Sequence, residues 1–288
     1  MKEIKEIIRK DFPLLLKEIP DKPKKLYYRG EIPDWENNKF LAIVGSRKYS
    51  DYGKSACQKL IEGLRGYPII IVSGLALGID SIAHESALRA GLKTIAVPGS
   101  GIGRDAIYPP SHAGLSERIL KAGGLLLSEF EPNQKSAPYM FPQRNRIMAG
   151  MSHSTLVVEA EKESGTLITA RLSMEYNRDV LTIPGSIFSS NTEGPHYLIK
   201  NGATPIRESA DILEALHIPL ENKPFDISKG LYDLSDNEIK VLEILKEPKS
   251  KEDLIELINM EISELNSLLS VMEIKGLVQE SLGEIRRL

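Results

Sequence analysis

Between Phe40 and Gly185, six short apolar runs alternate with segments of helical period. The runs are LAIVG (41–45), IIIVSG (69–74), TIAVPG (94–99), LLLSEF (125–130), TLVVEA (155–160) and VLTIPG (180–185). Runs this rich in Val, Ile and Leu predict strands buried on both faces, and such strands occur in parallel sheets covered by helices. The alternation therefore predicts an α/β fold with a Rossmann-like, doubly wound and mostly parallel sheet.

The segment before this sheet predicts additional elements. Ile4, Ile7 and Ile8 stand at helical spacing, so residues 1–24 are interpreted as an N-terminal helical extension. Leu26–Gly30 is typical of an edge strand, and the sheet domain is expected to occupy residues 25–217.

The last quarter of the chain predicts a separate small domain. Residues 218–232 contain two prolines and no clear period, which is typical of a linker. Residues 233–288 begin with a capping box at Ser235 and predict three helices followed by a hairpin that turns near Leu282-Gly283. These elements predict a winged helix.

Composition excludes several classes of protein and site. The single cysteine, Cys57, excludes a disulfide framework and any multi-cysteine metal site, and it is typical of the cytoplasm. The five histidines lack metal-ligand spacing, so we expect neither a metal nor a cofactor. No apolar run approaches the ~18 residues of a membrane span, and we expect no membrane association.

Charge is unevenly distributed along the chain. Residues 233–288 hold 13 acidic and 7 basic residues, whereas residues 1–232 hold 27 acidic and 30 basic residues. Because like charges repel, a phosphate-binding surface is expected within 1–232, and the winged helix is expected not to bind DNA.

The first candidate site is Gly45, Ser46, Arg47 and Lys48, which follow the first buried strand. Glycine allows close approach of a ligand, the N–H groups of a following helix attract anions, and a guanidinium can bind phosphate bidentately. The alternative is a tight turn with two solvated cations. The loop lacks the GxxxxGK[ST] pattern of a P-loop ATPase.

The second candidate site is the segment Phe141-Pro142-Gln143-Arg144-Asn145-Arg146. It combines an aromatic ring, guanidinium groups and an amide, which are the groups that hold single-stranded nucleic acid. At helical spacing Arg144 and Arg146 point in different directions, so one of them is expected to pair internally. The alternative is an ordinary helix start with a core Phe.

A third candidate site, Ser164-Gly165-Thr166, precedes a predicted helix and suits an anion, although a simple N-cap would have the same sequence.

Two enzymatic interpretations are weaker. Gly99–Gly103 lacks the third glycine of a dinucleotide fingerprint, because Arg104 stands there. Ser73, Asp80 and His84 could form a hydrolytic group, but no GxSxG elbow surrounds Ser73 and a structural role is favoured.

Six motifs in order resemble the DNA-processing protein A family: LAIVGSRKYSDYGK, VSGLALGIDSIAH, TIAVPGSG, FPQRNRIMAG, EAEKESGTLITA and IPGS. The resemblance extends over about 25–217. It implies an extended Rossmann fold that binds single-stranded DNA without strong sequence preference and helps to load a RecA-type recombinase during natural transformation.

The resemblance also implies roles for particular residues. Arg47 and the Phe141–Arg146 segment would contact the strand, and Gln143 stands where several relatives have a lysine. A homodimer would form near Ile206–Leu216, where an exposed helix face and a core face both fit the apolar spacing.

The alternative function is a nucleotide-processing enzyme of the same superfamily. Phosphoribohydrolases of this type carry the signature PGGxGTxxE. Here Thr169 stands where the signature requires glutamate, so the general acid is missing. We therefore expect a binding protein that is not an enzyme.

Overall fold

The apolar runs form the centre of a nine-stranded sheet in a computed structural model of the chain, which describes residues 3–220, 235–245, 249–258, 260–274, 277–281 and 284–287. The strands are β1 (Ile4–Ile8), β2 (Lys25–Gly30), β3 (Lys39–Val44), β4 (Ile69–Ser73), β5 (Thr94–Ala96), β6 (Leu125–Ser128), β7 (Ser154–Val157), β8 (Asp179–Thr182) and β9 (Thr204–Pro205). Their order is β1-β2-β6-β5-β4-β3-β7-β8-β9. Strands β3 to β9 pair in parallel, and only β1 and β2 run antiparallel to their neighbours. The mostly parallel sheet is thus confirmed.

Helices cover both faces of this sheet. They are α1 (Leu14–Glu18), α2 (Asp51–Glu62), α3 (Ile79–Arg89), α4 (Ala113–Lys121), α5 (Met140–Met151), α6 (Thr166–Glu175), α7 (Glu193–Lys200) and α8 (Ser209–Ala215). Phe40 and Val44 of β3 pack into one core with α5 and α6, whereas Leu41 and Ile43 pack into a second core with α2, α3 and α8. This alternation explains the continuous apolar runs, because each face of a strand needs its own apolar residues.

The prediction of a helix around Ile4, Ile7 and Ile8 is wrong. These residues form strand β1, which pairs antiparallel with β2 and buries Ile7 while leaving Ile8 exposed. The unpaired edge of β2 favours an extended partner, and this tertiary contact overrides the local spacing. Strand β2 is therefore not an edge strand.

The rest of the N-terminal segment is part of the same unit. Helix α1 has five residues, and Leu16 is buried. A Cβ added to Gly150 of α5 would press against Ile19 and Leu16, which shows how closely the segment packs there. The described part of the predicted extension, residues 3–24, is thus integral to the sheet domain.

Of the two alternatives for the apolar residues near Ile206–Leu216, an exposed helix face and a core face, the structure shows the core face. Ile212 and Leu213 of α8, together with Leu216, are buried in the core shared with α2 and α3. They stabilise this unit and are unavailable to a partner.

The chain divides into two compact units, Met1–Pro224 and Phe225–Leu288. The second contains α9 (Asp236–Ile244), α10 (Lys251–Ile258) and α11 (Ile262–Ile274), with strands β10 (Lys249–Ser250), β11 (Val278–Ser281) and β12 (Glu284–Arg287). Strands β11 and β12 pair antiparallel as the predicted hairpin requires, although its turn at 282–283 lies outside the described residues.

The predicted capping box is present at the start of α9. The Ser235 N–H donates to Glu238 Oε2 at 2.7 Å, and the Glu238 N–H donates to Ser235 Oγ at 3.3 Å. Three helices and a small sheet are the elements of a winged helix. Most of the predicted linker, from residue 221 onward, lies outside the described residues.

No helix in the described ranges is both long and apolar enough to cross a membrane.

Candidate functional site

A cavity of about 510 Å³ opens at the carboxyl end of the sheet, where β3 and β7 lie side by side. It brings together the three segments that the sequence singled out, at residues 45–48, 141–146 and 164–166, although the first is distant in sequence from the other two. The predicted residues that line it are Gly45, Ser46, Arg47, Lys48, Phe141, Arg144, Asn145, Ser164, Gly165 and Thr166. Ligands of open α/β sheets bind in this position.

The loop after β3 is held by a buried carboxylate, that of Glu159. The Ser50 N–H donates to Glu159 Oε2 at 2.9 Å, and the Ser50 hydroxyl donates to Glu159 Oε1. Ser50 Oγ in turn accepts from the Gly53 N–H at 3.1 Å and caps α2. The absence of a side chain at Gly53 leaves room for the Glu159 carboxylate, because a Cβ at position 53 would overlap that carboxylate. Sequence reasoning missed Glu159, whose only signal was its place in the motif EAEKESG.

Arg47 and Lys48 are exposed at the rim of the cavity. The Arg47 guanidinium lies 5.5 Å from the centroid of the Phe141 ring, a cation–π distance. Phe141 is half-buried, and its ring lies 5.8 Å from that of Tyr108. The two rim cations can therefore meet an anionic ligand, while Phe141 already has two neighbours.

Arg144 forms the floor of the cavity. Its guanidinium donates to the Val97 carbonyl and, through Nε, to Asn145 Oδ1 at 3.1 Å. Gly74 must be glycine, because an added Cβ would overlap this guanidinium. Burial lowers the pKa of Arg144 to about 10, and the charge of Asp80 opposes that shift. Arg144 thus remains a cation at neutral pH.

A buried carboxylate, Asp80, balances this cation. Burial raises the pKa of Asp80, and the charge of Arg144 and hydrogen bonds from the Ala76 and Gly74 N–H groups act against that rise. Those N–H groups lie 3.4 and 3.1 Å from Asp80 Oδ2. Asp80 therefore fixes the loop after β4.

Arg146 and Gln143 do not line the cavity. The Arg146 side chain is 15% exposed, donates to the Asp21 carbonyl at 2.7 Å and pairs with Glu129. Gln143 is exposed on α5. Arg144 and Arg146 do point in different directions as predicted, and both make internal contacts.

The third segment, Ser164–Thr166, forms another wall of the cavity. Ser164 Oγ accepts from the Thr166 N–H at 3.2 Å at the start of α6. Two exposed carboxylates that the sequence analysis had not selected, Glu161 and Glu163, line the same wall. The cavity therefore has a basic side at Arg47 and Lys48 and an acidic side, and phosphate is favoured at the first.

The group Ser73, Asp80 and His84 has a structural role. The Ser73 hydroxyl donates to the Ile43 carbonyl at 2.7 Å, and His84 Nδ1 lies 2.7 Å from Thr94 Oγ1. Burial lowers the pKa of His84 to about 3. No cluster of His, Cys, Asp and Glu suited to a metal ion occurs among the residues that the structure describes.

Known proteins resemble this chain over the unit that contains the cavity. The family model described as DNA recombination-mediator protein A matches residues 4–217. Protein Smf of Escherichia coli is 42% identical over 213 residues, and these cover 74% of this chain and 56% of that protein. DNA processing protein DprA of Streptococcus pneumoniae is 43% identical over 202 residues, which cover 70% of each.

Solved structures of DNA processing proteins also resemble this chain. The X-ray structure of the Streptococcus pneumoniae protein has a TM-score of 0.68 and 40% identity over 74% of each chain. The Helicobacter pylori DNA processing protein A, which binds single-stranded DNA, has a TM-score of 0.66 and 29% identity over 75% of this chain and 98% of that chain. The chain spans little more than half the length of the Escherichia coli relative.

Proposed function

Because the chain belongs to the DNA recombination-mediator protein A family, we propose that it binds single-stranded DNA in the cavity at the carboxyl end of the sheet. The observation that carries this proposal is the convergence of Gly45–Lys48, the start of α5 and Ser164–Thr166 on one cavity. Binding would show no strong sequence preference.

The charge of the cavity supports contact with the backbone of the strand. Arg47 and Lys48 are exposed, so each can exchange water for a phosphate oxygen. Arg144 adds a fixed positive charge at the floor. Phosphate contacts carry no sequence information, which accounts for the expected lack of sequence preference.

We further propose that the bound strand is passed to a RecA-type recombinase, in the context of natural transformation, and that the protein acts as a homodimer. The family description, which names recombination mediation, supports the first point. The dimer contact would use surface residues, since the apolar residues of α8 are buried.

An enzyme acting on nucleotide monophosphates is the alternative. Thr169 lines the cavity where a phosphoribohydrolase signature has glutamate, and a threonine hydroxyl is too weak an acid for that role. This substitution supports a binding protein.

The test is fluorescence anisotropy with labelled single strands of several sequences and with a duplex of the same length. We expect similar affinity for all single strands and weaker binding of the duplex. Binding that follows sequence, or release of a free base from nucleotide monophosphates, would contradict the proposal.

A further inference from the structure

The segment after β8 displays two large apolar side chains to solvent. Phe188 is 94% exposed and Ile187 is 80% exposed, the highest values among the large apolar residues that the structure describes. Scattered exposed apolar residues are ordinary, but an adjacent pair at the tip of one loop is typical of a binding surface.

Hydrogen bonds fix the backbone of this loop. The Tyr52 hydroxyl donates to the Pro184 carbonyl at 2.6 Å, and the Phe188 N–H donates to Ser186 Oγ at 3.2 Å. Thr192 Oγ1 donates to the Ser189 carbonyl at 2.8 Å. The Phe188 ring is thus presented on a held backbone, which lowers the entropy lost when a ligand binds.

The same loop is bonded to both walls of the cavity. Asn191 Nδ2 donates to the Lys48 carbonyl at 3.0 Å, and the Asn191 carbonyl accepts from the Ala160 N–H at 2.8 Å. Lys48 lines the basic side of the cavity, and Ala160 directly precedes Glu161, which lines the wall that includes Ser164–Thr166. Residues 183–192 contain no Asp or Glu, so the loop does not repel a polyanion.

A flat ring beside cations is the arrangement that holds single strands, because each base has a face on which an aromatic side chain can stack. Phe141 in the cavity is half-buried and already contacts Arg47 and Tyr108. The Phe188 ring is 94% exposed, and the loop that carries it is bonded through Asn191 to the carbonyl of Lys48, which lines the cavity.

We propose that Phe188 stacks on a base of single-stranded DNA where the strand leaves the cavity past Lys48. This inference rests on the proposed function of the cavity. It makes the loop 183–192 a second contact for the same strand, so strands that reach only the cavity gain nothing from it.

The test compares oligothymidines of about 4 and about 16 nucleotides, which span the usual size of a single-strand site. Phe188→Ala in the full chain is expected to weaken binding of the longer strand about 10-fold and to leave the shorter one unchanged. Phe188→Tyr keeps the ring and is expected to bind like the unmodified protein. Phe188→Leu keeps the apolar character, loses the flat face and is expected to resemble Phe188→Ala.

Leu14→Ala is the matched control, because Leu14 is an apolar residue on α1 that is 71% exposed. It is expected to change neither affinity. Arg47→Ala separates the two proposals, since it is expected to weaken binding of both strands. If Arg47→Ala weakens both and Phe188→Ala weakens neither, the stacking proposal is wrong and the cavity proposal stands.

Three further outcomes would overturn the stacking proposal. Full affinity of Phe188→Leu for the longer strand would exclude stacking. If Phe188→Ala keeps its DNA affinity but light scattering gives it a smaller particle mass than the unmodified protein, the loop contacts another protein chain rather than DNA. If the unmodified protein binds neither strand, the cavity proposal fails as well.

Discussion

The guanidinium groups of Arg47, Arg144 and Arg146 occupy three different environments. Arg47 is exposed above Phe141, Arg144 is buried against the Val97 carbonyl, and Arg146 is paired with Glu129. Only the exposed group can bind a phosphate without first breaking an internal bond. Arg47 is therefore expected to contribute most to DNA affinity, and the other two to folding.

Replacing Arg47 by alanine is expected to weaken single-strand binding to a similar extent for every sequence. The slope of log affinity against log salt should flatten by about 0.7 for each phosphate that the variant no longer binds, because fewer counterions are released. Anisotropy titrations at several salt concentrations measure both effects. Arg65→Ala is the control, since this side chain is 58% exposed and does not line the cavity. An unchanged affinity and slope in folded Arg47→Ala would contradict the prediction.

Acid should destabilise the protein through His84. Burial lowers the pKa of His84 to about 3, whereas an unfolded chain has a value of about 6.5. Below pH 6.5 the His84 imidazole binds a proton in the unfolded state but stays neutral in the folded state, so the free energy of unfolding falls as the pH drops from 6.5 toward 3. The contribution is at most about 1.4 kcal/mol per pH unit.

The measurement is thermal unfolding by circular dichroism between pH 8 and pH 4. His84→Leu is expected to be less stable at pH 8, because it cannot bond to Thr94, and to show a shallower pH dependence. His153, whose pKa is lowered to about 4 mainly by burial, contributes a remaining slope of the same sign. An identical slope in His84→Leu would assign the acid sensitivity to other groups.

At the scale of elements, the start of α2 and the loop that carries Arg47 depend on one arrangement, the pairing of Ser50 with buried Glu159. Ser50 serves both as a donor to Glu159 and as the cap of α2. Neither Ser50 nor Glu159 lines the cavity. A substitution of either residue therefore affects the rim of the cavity indirectly, through the position of the loop.

Ser50→Ala is therefore expected to lower the free energy of unfolding by about 1 kcal/mol, the usual effect of losing an N-cap, and to weaken DNA binding as well. Urea unfolding measures the first effect and anisotropy the second. Ser55→Ala, at an exposed position within the same helix, is expected to be neutral or slightly stabilising. Equal stability of the two variants would show that the cap is dispensable.

The elements predicted well from sequence are those with an unambiguous period. The six apolar runs had to be buried strands, and parallel topology then placed their following loops at one edge of the sheet. Strand β1 was wrongly predicted as a helix, because the spacing of Ile4, Ile7 and Ile8 fits a helix and only pairing with β2 favours a strand. The bonds of Glu159 to Ser50 and of Arg144 to the Val97 carbonyl could not be predicted, because these partners are distant in sequence.

At the scale of the whole molecule, the two units differ in charge. The acidic excess lies in 233–288, and the cavity with its basic rim lies in the first unit. An acidic domain that is tethered to a DNA-binding unit repels the phosphates of DNA, and this repulsion grows as the salt concentration is lowered.

A chain of residues 1–224 is accordingly expected to bind single-stranded DNA at least as tightly as the full chain, with the larger gain at low salt. Anisotropy at two salt concentrations, with circular dichroism to check folding, measures this. A many-fold loss of affinity in the folded shorter chain would show that the winged helix contributes to DNA binding.

Strand β1 covers the outer edge of β2 with five residues, of which Ile7 is buried and Lys5, Glu6 and Ile8 are exposed. An uncovered strand of this kind offers a row of free N–H and C=O groups that another chain can pair with, and such edges nucleate aggregation. Strand β1 is itself the outermost strand on this side of the sheet, but it is short and carries the exposed charges of Lys5 and Glu6, which disfavour pairing with another chain. Removal of β1 would make the mostly buried strand β2 the new edge, and we expect the protein to aggregate before the cavity at the carboxyl end of the sheet is affected.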